Sequence, residues 1–429
     1  MKILNICLLL FAISAGAASV GAASVGAASV GAASVGDASV GDDFRWSIKG
    51  FGTLGFTGTD SNDIGFKRTA TQTIDATKSW GTATDSRLGL QVDVDFNQSL
   101  HATVQWIARD HSGNFFEQNL DWAFLRWNIN DTSNIRLGRL GVDVFLLSDY
   151  RDVGYAYPWI RPPHEFYSQI LFNHFDGFDF THRISDQVSI KLFAGRSLNV
   201  IPVDIDPEFK LINGVAGASI KYESDSWTTR AGYAYVRLLN DDDALDEAIT
   251  LVNDPLANFG IPGLSQLSSV IAIKDSEVHY YTLGAAYDDG TWLAQAEVSY
   301  SDTDTIYFPD TISSYLSIGR RFSNITLYSL YGISHSKKNN VDIPSPIFPL
   351  PALQQLEQGL EALLNTHGVD QQSISLGLRW DFYQNVAFKA QWSHFWLGEQ
   401  GTQYWYADPF SDSQSEQINV WSFGVDFVF

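Results

Sequence analysis

Apolar and polar residues alternate with a period of two through this chain, from Phe44 to the terminal Phe429. That period is strand geometry, because successive side chains of a strand point to opposite faces. The pattern recurs near 44–56, 86–96, 100–109, 119–129, 134–141, 174–184, 187–196, 211–223, 226–237, 276–288, 291–302, 310–321, 324–335, 371–382, 385–396 and 416–429, sixteen segments in all. Their connections alternate in length. Short polar turns sit at Asn97-Gln98-Ser99, Asn130-Asp131-Thr132-Ser133, Ser185-Asp186, Ser224-Asp225, Asp289-Gly290, Phe322-Ser323 and Tyr383-Gln384. These are tight hairpin turns. Between them lie 57–85, 110–118, 142–173, 197–210, 238–275, 303–309, 336–370 and 397–415. Seven short and eight long connections place both chain ends on the short-turn side.

A soluble sandwich has no reason to sort its loops by end. A transmembrane antiparallel β-barrel does, with short turns at one end, long loops at the other and an even strand count. The two faces of the segments agree. Leu88, Leu90, Val92, Val94 and Phe96 alternate with Arg87, Gly89, Gln91, Asp93 and Asp95. Ile374, Leu376, Leu378, Trp380 and Phe382 alternate with Ser373, Ser375, Gly377, Arg379 and Asp381. A packed soluble core does not hold that much charge, so the apolar face meets lipid and the interior is wet. Trp46, Trp106, Trp127, Trp227, Trp292, Trp380, Trp392 and Trp421 fall near segment ends, where interfacial girdles sit. Segments 119–129 and 324–335 are exceptions, with apolar residues on both parities.

The N-terminus sets the compartment. Met1-Lys2 precedes a nearly all-apolar run to Ala18, with Ala15-Gly16-Ala17 as a cleavage site. This reads as a secretory signal peptide over 1–18, too short to span a bilayer. The single cysteine, Cys7, lies inside it, so the mature chain has no disulfide and no thiol chemistry. Gly-Ala-Ala-Ser-Val repeats four times from Gly16 to Val35, followed by Gly36-Asp37-Ala38-Ser39-Val40. Such low complexity builds no core, so 19–42 reads as a spacer and 43–429 as the barrel. Val20-Gly21-Ala22 and its repeats offer further cleavage sites. The mature chain has no apolar run long enough for a membrane helix. With 27 basic against 49 acidic residues and a net charge of −22, nucleic acid is disfavoured as a partner.

In the last strand Trp421, Phe423, Val425, Phe427 and Phe429 share one parity, and Ser422, Gly424 and Asp426 the other. Chain ends usually fray and are polar. This tail resembles the C-terminal signal strand of Gram-negative outer-membrane barrels, which the insertion machinery reads. The whole layout resembles the porins of Gram-negative bacteria across nearly the entire mature chain. That resemblance implies a sixteen-stranded barrel in the outer membrane, surrounded by lipid and lipopolysaccharide. It also implies delivery by the barrel-assembly machinery, a homotrimer, and a water-filled channel for passive diffusion of small hydrophilic solutes. No cofactor or metal is expected. In that family the third outer loop folds inward and narrows the channel. Here the third long connection is 142–173.

Its sequence has few carboxylates and many aromatics. Asp143, Asp149, Asp152 and Glu165 would face wall cations across a narrow gap, where rings of charge filter ions by sign. Tyr155, Tyr157, Trp159, Phe166 and Tyr167 would instead form an apolar or sugar-stacking rim, or glue the loop to the wall. Pro158, Pro162 and Pro163 stiffen it. By parity, Lys49, Arg87, Arg109, Arg136, Arg183, Lys191, Lys221, Arg230, Arg321, Arg379 and Lys389 point inward, with Arg126 ambiguous. Inward acids are Asp93, Asp95, Asp121, Asp179, Glu297, Asp381 and Asp426, so the excess acid of the chain lies in its loops. The candidate constriction comprises Lys49, Arg87, Arg109, Arg136, Asp149, Arg151, Asp152, Tyr157, Trp159, Arg161 and Glu165. Lys49, Arg87, Arg109 and Arg136 would form a basic arc opposite the loop and favour anions. The alternatives are a substrate-specific channel with an aromatic-lined constriction and a loop-based adhesin or receptor.

Two long connections carry helix-like text. Leu350, Leu353, Leu356, Leu360, Leu363 and Leu364 fall near a 3.6 period. Asp241, Asp242, Asp243, Asp246 and Glu247 precede Ile249, Leu251 and Val252 without the spacing of a calcium loop. No Gly-x-Ser-x-Gly motif accompanies the nine histidines, which argues against a hydrolase.

Overall fold

The computed structural model describes residues 36–39, 44–77, 79–169, 172–201, 209–239, 275–305, 308–337, 368–402, 404–407 and 416–429. Sixteen strands form the barrel: β1 Arg45–Thr59, β2 Arg87–Asp95, β3 Leu100–Ala108, β4 Leu120–Asn130, β5 Ser133–Gly141, β6 His174–Arg183, β7 Val188–Ile201 and β8 Phe209–Glu223, then β9 Trp227–Leu238, β10 Glu277–Asp288, β11 Trp292–Thr303, β12 Thr311–Phe322, β13 Ile325–Ser336, β14 Val369–Tyr383, β15 Val386–Thr402 and β16 Glu416–Val428. Each pairs antiparallel with the next. β16 closes the ring on β1, with Val420 opposite Thr59 and Val428 opposite Phe51. Closure leaves no free edge, the condition for a sheet standing in lipid.

The strand ends place short connections at 96–99, 131–132, 184–187, 224–226, 289–291, 323–324 and 384–385, alternating with long ones. Positive φ at Gly290, Ser323 and Asn385 supplies the left-handed residue that such tight turns use. Two long connections carry more strand than the sequence suggested. Ile64–Phe66 and Trp405–Ala407 pair with each other, with Trp405 opposite Phe66, and bury a cluster with His164, Phe395 and Ile418. From the last repeat unit, Gly36–Ser39 pairs with Arg45–Ile48. The expected signal segment 1–18, the first four repeats and the helix-like stretches 241–253 and 350–364 lie outside the described residues.

Outward positions form an apolar belt in which Leu54, Leu88, Leu125, Leu137, Leu283, Leu316, Leu376 and Phe423 are exposed. Inward positions are polar and covered: Thr57, Asp179, Arg230, Thr282, Glu297, Ser317, Gln371, Lys389, Gln391, Ser422 and Asp426 are all buried. The two segments of mixed parity share a cause. In β4 Leu125, Trp127 and Ile129 are outward while Trp122 and Phe124 are inward, Phe124 packing against the cluster inside the barrel, and a bulge where Gln105 faces Trp122 but Trp106 faces Leu120 shifts only the start of the strand. β13 is regular, with Leu327 and Tyr331 outward. Its inward Tyr328 and Leu330 are apolar because they pack against a segment inside the barrel.

Candidate functional site: a segment inserted across the barrel

That segment is the connection between β5 and β6. Its base is closed by the Val142 N–H donating to the Asn173 carbonyl at 3.2 Å. Val142, Val144, Phe145, Leu147, Tyr157, Trp159, Phe166 and Tyr167 are buried in one cluster with inward Phe193, Leu211, Val215, Tyr280, Tyr315 and Tyr328. Tyr315 meets Trp159 and Phe166 edge-on. Aromatics on the insert therefore meet aromatics and aliphatics on the wall, and this match of apolar surfaces fixes its depth. Pro162 and Pro163 lead into a single helical turn, His164–Tyr167.

An irregular segment leaves its carbonyls without partners, and buried carbonyls need donors. Wall cations supply them. Lys389 Nζ donates to the carbonyls of Gly154, Tyr157 and Trp159 at 2.6–2.7 Å. Arg379 donates to those of Tyr155 and Tyr157, Arg230 to those of Asp143 and Val144, and Arg87 to that of Asp152 at 2.6 Å and to the Tyr157 hydroxyl at 3.1 Å. Only glycine passes between β1, β2 and β16 at the tip of the insert. A Cβ on Gly154 would lie 2.2 Å from Asp426 Oδ1 and 2.7 Å from Thr53 Oγ1.

Side chains of the insert reach the wall in turn. Arg161 grips Asp85 through two bonds of 2.5 and 2.9 Å and reaches Thr57 and Ser422. Trp159 Nε1 donates to Ser317 at 2.8 Å. Asp143 pairs with Lys191 and Arg230. Glu297 accepts from the Leu146 N–H and from the hydroxyls of Tyr167 and Tyr315. Asp152 pairs with Arg109 at 2.8 Å, and Arg109 also holds Asp121. Burial alone would raise the Asp152 carboxyl, but Arg109, Arg68 and Arg151 outweigh it and hold it at about 2. Burial acts against Asp85 in the same way, and Arg161 and Arg68 reverse it, leaving that carboxyl below its ordinary value. Glu165 has no such cation. It is fully covered, neither oxygen makes a well-formed hydrogen bond among the described residues, and burial raises its carboxyl against the nearby Ser373 and Gln371, which favour the charged form. Burial, with Arg161 nearby, lowers the His164 imidazole to about 3.

No protein-family model matches the sequence, and no curated protein matches it either. Solved structures do. The anion-selective porin from Comamonas acidovorans aligns with a TM-score of 0.52 at 12% identity, over 90% of this chain and 100% of that one. The chain has the fold of the Gram-negative porins. OmpF of Salmonella typhi in complex with daunomycin aligns with a TM-score of 0.49 at 13% identity, over 90% and 98%. OmpT of Vibrio cholerae, an outer-membrane protein, gives 0.49 at 11% over the same shares.

Within this porin fold the candidate constriction residues divide. Arg87, Arg109, Arg151, Asp152 and Tyr157 come together around one stretch of the insert, with Arg151 donating to Asn173 at 2.5 Å. Trp159, Arg161 and Glu165 seat the other stretch against β12–β16 and β1. Lys49 and Arg136 do not join them. Lys49 pairs with Asp93 and Arg136 with Asp179, both on the wall. Asp149 stands exposed on the insert. The register resolves Arg126, which lies opposite His101 on one side and Arg136 on the other. One ladder row on the inner wall thus reads Arg45, Asp95, His101, Arg126, Arg136, Asp179. Parity had already placed Lys389, Arg379, Glu297 and Asp426 inward, but nothing in the sequence tied them to carbonyls of the insert. Asp85 lay unnoticed in a long connection. The tail residues lie on the outer face, with Trp421 opposite Trp392 and Phe423 opposite Phe56. The Phe427 and Phe429 rings cover Gly52 and Gly50.

Proposed function

We propose that the chain is an outer-membrane channel for passive diffusion of small hydrophilic solutes, narrowed by the 142–173 segment. The single observation that carries this reading is the combination of a lipid-suited exterior with a charged interior that one internal segment crosses without filling. The inner wall of β1–β8 keeps a charged face that the insert leaves half exposed, including Lys49, Asp93, Arg126 and Lys221. Solutes pass between this face and Asp149. Arg126 lies exposed on it with no ion pair among the described residues, which favours anions. The homotrimer and delivery by the assembly machinery belong to the same reading.

Burial of Tyr157, Trp159, Phe166 and Tyr167 supports broad over sugar-specific passage, because rings sealed against the wall have no face left for a solute. The test is single-channel conductance of the purified protein in planar bilayers, with the reversal potential in a salt gradient. Stepwise conductance with an anion-leaning reversal is expected. A folded barrel that passes no current overturns the reading.

A further inference from the structure

The outer wall carries its own charged row. On β5–β10, Arg139 lies opposite Asp176, Asp176 opposite Arg196, Arg196 opposite Gly214, Gly214 opposite Arg237, and Arg237 opposite Glu277. Their parity is that of Leu137, Phe178, Leu192, Ile220 and Tyr233, which are exposed on the apolar belt. The row therefore lies on the lipid-facing side, towards the ends that carry long connections.

The arginines differ in their engagement. Arg139 is held by Asp176 and by the Glu117 carbonyl. Arg237 pairs with Asp275 at 2.9 Å, with both side chains about half exposed. Arg196 is exposed and has no hydrogen bond or ion pair among the described residues. Between Arg196 and Arg237 stands Gly214, where a Cβ would meet nothing closer than 3.6 Å. Two interstrand spacings separate the arginine backbones, about 9–10 Å, a gap that two guanidinium groups close from either side. Lys210, exposed on the same face of β8, lies nearby.

The placement is selective. In a chain of net charge −22, the outward cations on described strands at this end are Arg139, Arg196, Lys210 and Arg237, all within β5–β9. The remaining outward one, Arg320, sits at the other end, over the rings of Trp292 and Phe322. Beside the row Tyr233 and Tyr281 touch, their ring centres 5.2 Å apart, in the manner of an interfacial girdle.

We propose that Arg196 and Arg237, either side of Gly214, hold the phosphate of a phosphorylated lipid whose acyl chains lie along Leu192, Ile220 and Tyr233. Planar guanidinium forks match phosphate oxygens, and cations at a membrane surface attract anionic headgroups. The inference rests on the barrel standing in a membrane, and not on its conducting.

The test uses the purified full chain in neutral detergent, with native mass spectrometry reading bound lipid. The probes are dioleoyl phosphatidic acid, dioleoylglycerol and inorganic phosphate. Retention of phosphatidic acid but not dioleoylglycerol is expected. Arg196→Gln with Arg237→Gln should weaken it about thirty-fold, Gly214→Glu should abolish it, and Arg320→Gln should leave it unchanged. Heat-modifiable gel mobility verifies that each variant is folded, and unchanged conductance separates this site from the channel reading. Undiminished retention by the folded double variant overturns the proposal. Displacement of the lipid by equimolar inorganic phosphate would make the row a soluble-anion site and overturn it too. Loss of an oligomer rather than of lipid from the double variant would do the same, because a second copy would then cover this wall.

Discussion

Lys389 Nζ and Asp426 Oδ2 lie 2.8 Å apart, and both side chains are sealed from solvent. The ammonium directs its three N–H donors at the Gly154, Tyr157 and Trp159 carbonyls, with the Asp426 carboxylate beside it as counter-ion. A lysine has three donors and no acceptor, so one residue neutralises a carboxylate and caps a bend of the insert.

Lys389→Met strands both the carboxylate and the carbonyls. Breaking one side of a buried pair costs about 3–5 kcal/mol. Denaturant unfolding should report a loss of that size, and single-channel traces should become noisy as the insert loosens. Pairing it with Asp426→Leu should recover part of the loss, a coupling that a double-mutant cycle measures. Additive losses would show that the two residues act separately.

Arg126→Glu should move the zero-current potential in a salt gradient towards cation preference while leaving stability nearly unchanged. The group faces the lumen and has no ion-pair partner to strand among the described residues. Arg87→Gln should instead lower stability, because it holds the Asp152 carbonyl and the Tyr157 hydroxyl. If Arg126→Glu leaves the potential where it was, solutes do not pass that wall.

Asp152→Asn should destabilise at neutral pH. The carboxyl is held at about 2 in the fold against 3.8 when free, a contribution of about 2 kcal/mol. A lowered carboxyl stabilises above its unfolded value and loses that effect as pH falls from 3.8 towards 2. The difference between variant and wild type should therefore be full at pH 7 and shrink below pH 4, as unfolding midpoints at both pH values would show.

Glu165→Gln should have the opposite sign. Burial without a cation raises this carboxyl, so the fold favours its neutral form. That preference is complete below the unfolded value of 4.5 and turns into a penalty as pH rises through the folded value. The amide variant should be more stable than wild type at pH 7 and indistinguishable from it near pH 4. A less stable variant at pH 7 would mean that Glu165 is ionised and held by neighbours such as Ser373 and Gln371, which favour the charged form.

Phe429→Ser should lower the amount of barrel reaching the outer membrane far more than it lowers the stability of what arrives. The Phe429 backbone exchanges two hydrogen bonds with Gly50, which any residue keeps. The lost ring is worth about 1.5–3 kcal/mol at full burial. Quantifying the protein in membrane fractions beside refolded stability separates the two, and equal outer-membrane levels would count against an assembly signal.

The strands were legible because period two survives wherever one face meets lipid, as in Leu88 to Val94. Parity also put Arg87, Lys389 and Asp426 inside. It failed at Tyr328 and Leu330, where the inner face is apolar because another segment covers it. It also gives no depth, and for that reason Lys49 and Arg136, expected beside Arg87 and Arg109 in one arc, stay apart from the insert. Which cation meets which carbonyl depends on how a loop folds back through three dimensions, and no local pattern near Gly154 or Lys389 encodes it.

Around Gly154 the donors and carboxylates come from β1, β2, β15 and β16: Thr53, Arg87, Lys389 and Asp426. Those strands straddle the place where the two ends of the barrel meet. A piece of the middle of the chain thus sits like a keystone over the seam. Parting β1 from β16 would break not only ladder hydrogen bonds but also the buried cluster that spans them. The keystone also has no complete seat until the last strand has docked on the first. A barrel still open at the seam should then present its insert unlatched, and protease cleavage near Tyr155 during refolding should fall only as the ring closes.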